Sequence, residues 1–221
     1  MLLSDISSKI PSKLHEVLQK AGIKELRPAQ EKAIEAGLLE KKSVLICTPT
    51  ASGKTLIAEL AGMSSVFEGQ GKAVYVVPLK ALAGEKSREF KRKYEGIAKV
   101  ALSVGDTDSA DLYLADADMI ICTSEKLDSL IRHRAPWLKD IATLIVDEIH
   151  LLNDRGRGPT LEVVITLLRQ IIPNVQIVGL SATIGNPQEL ADWLGAQLIL
   201  DNWRPVPLAK GIFHDNVLEF E

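Results

Sequence analysis

Val44-Leu45-Ile46-Cys47-Thr48-Pro49-Thr50-Ala51-Ser52-Gly53-Lys54-Thr55 decides the fold of this chain. Four apolar residues suit a strand, a glycine-containing loop follows, and the stretch beginning at Leu56 reads as a helix. The start of a helix leaves main-chain N–H groups without internal partners and carries partial positive charge, so this order builds a cradle for a nucleotide polyphosphate. Within it, Thr50, Ala51, Ser52 and Gly53 form the loop that approaches the phosphates. Lys54 reaches the β and γ oxygens, and the Thr55 hydroxyl suits Mg²⁺. One departure from the G-x-x-x-x-G-K-[ST] pattern stands at its first position, Thr48 in place of glycine.

Working outward, short apolar runs at 73–77, 100–104, 119–122, 144–146, 177–180 and 198–200 alternate with helix-like stretches. The stretches span 14–21, 29–39, 55–67, 81–94, 125–133, 161–171 and 187–194. Runs that are apolar throughout suit strands covered on both faces, so the expectation is an α/β domain with a central, mostly parallel sheet and helices on both faces. Ligands of such sheets bind at the carboxyl ends of the strands. Gly156-Arg157-Gly158-Pro159 reads as a flexible turn. Trp203-Arg204-Pro205-Val206-Pro207 reads as an extended tail, giving one domain over 1–202 and a tail over 203–221.

A second cluster, Leu144-Ile145-Val146-Asp147-Glu148-Ile149-His150, delivers two adjacent carboxylates at the end of a strand. Asp147 suits Mg²⁺, a hard cation that prefers oxygen ligands, and Glu148 can polarise an attacking water. Taken alone, the two acids could equally cap the next helix.

The 221 residues are 46% hydrophobic and 25% charged, with net charge −3, so the whole-protein field does not announce a polyanionic partner. No apolar run approaches the roughly 18 residues of a membrane span, and the N-terminus lacks a signal-peptide pattern. Cys47 and Cys122 each end an apolar run and read as buried free thiols in a reducing cytosol, so a cytoplasmic location is expected.

With these motifs in place, the chain resembles the first RecA-like, P-loop domain of a superfamily 2 helicase. Residues 48–55 resemble motif I, Asp147-Glu148-Ile149-His150 motif II in its D-E-x-H form, and Ser181-Ala182-Thr183 motif III. Residues 77–83 resemble motif Ia and Thr123-Ser124-Glu125-Lys126 motif Ib. Arg27-Pro28-Ala29-Gln30, within an N-terminal segment over 1–30, resembles the Q-motif. The wording of 78–86, 124–132 and 203–208 narrows the likeness to the Ski-like branch, most of all to archaeal fork-remodelling DNA helicases of the Hjm type.

The resemblance implies ATP and Mg²⁺ as cofactors, Lys54, Asp147 and Glu148 as the catalytic core, and adenine recognition by Gln30, whose amide can donate and accept. It implies that His150, Ser181 and Thr183 couple nucleotide state to domain movement; without it, the two hydroxyls read equally as caps for the helix at 187–194. Two strand-to-helix turns, with Pro78, Lys80 and Ala81 in one and Thr123 and Ser124 in the other, would offer N–H groups and hydroxyls to a nucleic-acid backbone. Lys86, Arg88, Arg132 and Arg134 would add salt-sensitive attraction, although 86–93 reads as well as a solvated helix face. DNA is favoured over RNA on the similarity alone. A second RecA-like domain would supply motifs IV to VI and the arginine fingers. The competing readings are another P-loop enzyme, such as a GTPase or small-molecule kinase, and a scaffold without activity; the chain has no Asn-Lys-x-Asp motif for guanine.

Overall fold

In the computed structural model, which describes residues 1–105, 111–206, 211–214 and 217–220, one parallel sheet organises the chain. Its strands are β1 (Val44–Cys47), β2 (Lys72–Val77), β3 (Val100–Ser103), β4 (Met119–Thr123), β5 (Ile141–Val146), β6 (Gln176–Ser181) and β7 (Gln197–Leu200). Their spatial order is β3-β4-β2-β5-β6-β1-β7, and every pairing is parallel. The interior strands β1, β4 and β6 are buried along their whole length, which is why they read as unbroken apolar runs. The edge strands β3 and β7 are only partly covered.

Parallel strands need long crossovers, and seven helices supply them or flank them. Buried residues of α1 (Ser12–Lys20), α2 (Pro28–Glu35), α3 (Lys54–Phe67) and α4 (Lys80–Lys93) pack on one face with Ile46, Tyr75, Val77 and Ile145. Those of α5 (Ser124–Arg132), α6 (Gly158–Ile171) and α7 (Pro187–Leu194) pack on the other with Leu45, Cys47, Val76 and Val146. Helix α3, which follows the phosphate-type loop, is buried at every position from Leu56 to Ser65, held between the sheet and the outer helices.

Several boundaries differ from the sequence reading for identifiable reasons. Helix α2 stops at Glu35 instead of continuing to 39 because Gly37 takes a positive φ of 96° just past its end. The turn read at 156–159 is present over 155–157, and its second half belongs to a helix. Asp154 accepts hydrogen bonds from the Gly156 and Arg157 N–H groups at 2.9 Å, and α6 already begins at Gly158. A Cβ on Gly158 would lie 2.1 Å from the Leu152 carbonyl oxygen, so this glycine serves close approach. Just before the tail Lys32 bonds the Leu200 carbonyl and the Asp201 carboxylate, and at its first residue the Arg27 guanidinium sits 5.3 Å from the Trp203 ring centroid. Farther on, β8 (Gly211–His214) and β9 (Val217–Phe220) pair as an antiparallel hairpin. Pro207 and Leu208, quoted for the resemblance, lie outside the described residues.

Candidate functional site

The strand order places the two chemistry-bearing segments on one rim. Strand β6 separates β1 from β5, so the loop after β1 and the acids after β5 stand about 10 Å apart across it. Cys47 is in register with Ser181, and Val146 with Gly179, so all three strands release their chains at nearly one level. Residue 147 shares the parity of Ile145, which packs on the α3 face.

In the loop, two residues take left-handed backbone: Ala51 at φ 63° and Gly53 at φ 92°. Gly53 is the N-cap of α3, and a Cβ there would lie 2.5 Å from Gln30 Nε2. The Lys54 ammonium donates to the Thr48 carbonyl at 2.9 Å and approaches the Pro49 carbonyl at 3.4 Å. Burial lowers the pKa of Lys54, while Glu148 and Asp147 pull it back upward; both carboxylates therefore lie within electrostatic reach of this amine. Thr48, where the pattern has glycine, is buried and shares a 2.7 Å hydrogen bond with Ser52, which fixes the loop from inside.

Asp147 accepts from the Tyr75 hydroxyl at 3.0 Å through one oxygen and from the Glu148 N–H at 3.0 Å through the other. Glu148 adopts φ 49°, which turns the chain sharply into a short 3₁₀ helix (Ile149–Asn153). His150 Nδ1 lies 3.3 Å from Glu148 Oε2 and 3.4 Å from the Ala182 nitrogen. That nitrogen serves one partner at a time: with its lone pair free it accepts from Ala182 N–H, and when protonated it donates to Glu148. Ser181 lies against the Cys47 thiol with no nitrogen or oxygen partner among the described residues, and Thr183 is exposed. Neither hydroxyl caps α7, whose N-cap is Asn186.

Gln30 is engaged with the chain itself. Its Oε1 accepts from the Arg27 N–H at 2.8 Å, capping α2, and its Nε2 donates to the Gly53 carbonyl at 2.9 Å. At 3% exposure this amide props the loop rather than standing open to a base. Arg27 adds a second prop by donating to the Ala51 carbonyl at 2.8 Å. Arg27, Gln30, Gly53, Thr55 and Glu59 line a cavity of about 600 Å³ beside the loop.

The first strand-to-helix turn is as expected: Lys80 and Ala81 are exposed and Pro78 half-buried. The second is corrected. Thr123 accepts from the Lys126 N–H and caps α5, and both Thr123 and Ser124 are buried, so their hydroxyls are not displayed. Arg132 ends α5, roughly 12 Å along the helix from that turn, and pairs with Asp128 at 2.8 Å. Lys86, grouped with the basic attractants, instead donates to the Thr55 hydroxyl at 3.1 Å and pairs with Glu89 at 3.0 Å. Pro78, Ser124, Asp147, Glu148 and Arg157 line one small crevice, so the exposed turn and the acids share a rim. Sequence reasoning passed over Arg157, and also Tyr75; the signal for Tyr75 was a phenol set within an aliphatic strand. Among the described residues no group of three or more His, Cys, Asp or Glu forms a metal cage.

A phosphate-type loop, a paired acid and a seven-stranded parallel sheet together define a RecA-like nucleotide-binding domain. Residues 27–190 match the DEAD/DEAH box helicase family, and the chain belongs to that family. It is 52% identical over 212 residues to the ATP-dependent DNA helicase Hel308 of Pyrococcus abyssi and 54% identical over 215 residues to that of Methanocaldococcus jannaschii. These alignments cover 96% and 94% of this chain but only 29% and 18% of the relatives. Among solved structures, the DUF1998 helicase MrfA bound to DNA and AMPPNP superposes with a TM-score of 0.74 at 30% identity, over 88% of this chain and 29% of that one.

Proposed function

We propose that the chain is the ATP-binding first motor domain of an ATP-dependent DNA helicase acting in replication-fork repair or recombination. The observation that carries the proposal is the strand order and register that bring Lys54, Asp147 and Glu148 to one rim of the sheet. In this reading Lys54 exchanges the Thr48 carbonyl for phosphate oxygens, with the N–H groups of residues 50–55 around them. Gln30 and Arg27 hold the loop in shape, and the adjoining cavity receives the base. Thr55 and Asp147 offer hard oxygens, the latter oriented by the Tyr75 hydroxyl, which fits Mg²⁺. When bound, the cation neutralises charge building on the γ-phosphate. Glu148 orients and polarises the attacking water, and His150 carries the state of Glu148 to Ala182 and so to the Ser181–Thr183 segment.

Nucleic acid meets Pro78, Lys80 and Ala81 on the exposed turn, through backbone contacts that position a strand without reading it. Thr123, Ser124 and Arg132 remain part of this proposed contact, the first two through main-chain groups since their side chains are buried. DNA is favoured because the relatives are named DNA helicases and the MrfA crystals contain DNA. In this proposal 1–202 is the motor domain, 203–221 leads toward a second RecA-like domain supplying an arginine finger, typically worth about 10³–10⁵ in turnover. The proposal includes a cytoplasmic location; among the described residues no helix is long and apolar enough to cross a membrane.

The test compares this chain with one extended through the second motor domain. Alone it is expected to bind ATP, hydrolyse it very slowly and unwind nothing. The extended protein is expected to show ATPase activity stimulated by single-stranded DNA and lost in Lys54→Ala. Equal or greater stimulation by RNA would replace DNA with RNA as the track, and a preference for GTP would indicate a different P-loop enzyme.

A further inference from the structure

We infer that Tyr75 is a positioning residue for the divalent cation, holding the Asp147 carboxylate in the orientation one ion requires. The inference rests on the proposed function, since it concerns the same pocket, but it assigns a part to a residue on a third strand. Tyr75 lies in the middle of β2, fully buried, and is the one hydroxyl-bearing side chain in that strand. A phenol in a fully buried strand needs a hydrogen-bond partner, and this one reaches the site. It donates to Asp147 Oδ2 at 3.0 Å.

The direction of these bonds is fixed by chemistry. The Lys86 ammonium can only donate, so Thr55 Oγ1 accepts from it at 3.1 Å. Tyr75 passes its proton toward the Asp147 carboxylate, which can only accept. This bond occupies Asp147 Oδ2. It leaves Asp147 Oδ1, which takes only the Glu148 N–H, as the oxygen with remaining lone-pair capacity.

The phenol is itself immobilised. Its ring meets Phe90 of α4 edge-on at 6.0 Å, and Phe90 stacks on Tyr94 at 6.0 Å. Groups that orient a metal ligand without touching the metal commonly change metal affinity by about 10–100-fold. Tyr75 is placed to do so for Asp147.

The experiment measures binding of a fluorescent ATP analogue to the 221-residue chain, in magnesium and in EDTA. The ratio of the two affinities gives the enhancement due to the cation. Tyr75→Phe keeps the ring and is expected to lower that enhancement about tenfold. Thr55→Val and Asp147→Ala serve as references and are expected to abolish it. Manganese in place of magnesium adds a readout independent of affinity: the paramagnetic resonance of the bound ion should broaden or split in Tyr75→Phe as its ligand geometry loosens. A thermal melt of each variant shows whether the fold is intact. If the reference variants lose the enhancement while Tyr75→Phe keeps it and leaves the manganese spectrum unchanged, the inference is overturned and the site reading stands. If Thr55→Val and Asp147→Ala also keep it, the cation does not sit between them, and both fail together.

Discussion

Gly53→Ala probes the geometry of the phosphate loop through two separable effects. The first is backbone: Gly53 sits at φ 92°, ψ 28°, and an L side chain in left-handed conformation costs about 1–2 kcal/mol. The second is collision, because the new methyl would stand 2.5 Å from Gln30 Nε2, well inside van der Waals contact. Gln30 must move to make room, and in moving it surrenders its bonds to the Gly53 carbonyl and the Arg27 N–H. Losing buried partners of this kind costs about 1–3 kcal/mol. The sum, about 2–5 kcal/mol, corresponds to a fall in Tm of roughly 4–20 °C for a domain of this size. A double-mutant cycle separates the parts. In a Gln30→Ala background the obstacle is gone, and Gly53→Ala should cost only the backbone strain, giving a coupling of about 1–3 kcal/mol. Urea denaturation followed by circular dichroism supplies the four free energies. A Gly53→Ala cost that is the same in both backgrounds, within about 0.5 kcal/mol, would refute the contact between the amide and the loop.

Two further predictions concern the surroundings of the site. Glu59 is buried in α3, where it pairs with Lys93 at 2.6 Å and accepts from the Tyr94 hydroxyl; Glu59→Gln should cost about 3 kcal/mol, the low end for breaking a buried pair because Lys93 still reaches water. An unchanged urea midpoint would contradict it. The N–H groups of Arg157 and Gly156 hold the exposed Asp154 carboxyl below its ordinary value of 3.8, so its stabilising effect is present above that value and lost as pH falls through the lower folded value. The Tm difference between the wild-type chain and Asp154→Ala should therefore shrink between about pH 5 and pH 2, and a constant difference would count against it.

The parts of this molecule legible in its sequence are those encoded by local periodicity. Val44–Cys47 had to be apolar on both faces because β1 lies inside a covered parallel sheet, and the Gly53-Lys54-Thr55 step had to follow it to start α3. Asp147 and Glu148 were visible for the same reason, as the first polar residues after a buried strand. Hydrogen-bond partners far apart in the chain leave no such trace. Gln30 reads as a free amide until α2 is seen packed beside Gly53, and Thr123 as a displayed hydroxyl until α5 is seen to start on it. Lys86 joins a charged helix face in the sequence, yet its long side chain crosses to Thr55 on α3. Gly158 reads as flexible because sequence cannot show a carbonyl 2.1 Å from its missing Cβ. Tyr75 was hidden by its own burial: a β-favouring aromatic in a strand needs no further explanation until its hydroxyl is found on Asp147.

The most direct examination of the account is a crystal structure of this chain with a non-hydrolysable ATP analogue and magnesium. It should show Lys54 Nζ moved from the Thr48 carbonyl onto the β and γ oxygens, with a single ion flanked by Thr55 and Asp147. A triphosphate bound elsewhere, with Lys54 still on Thr48 and no ion beside Asp147, would contradict it.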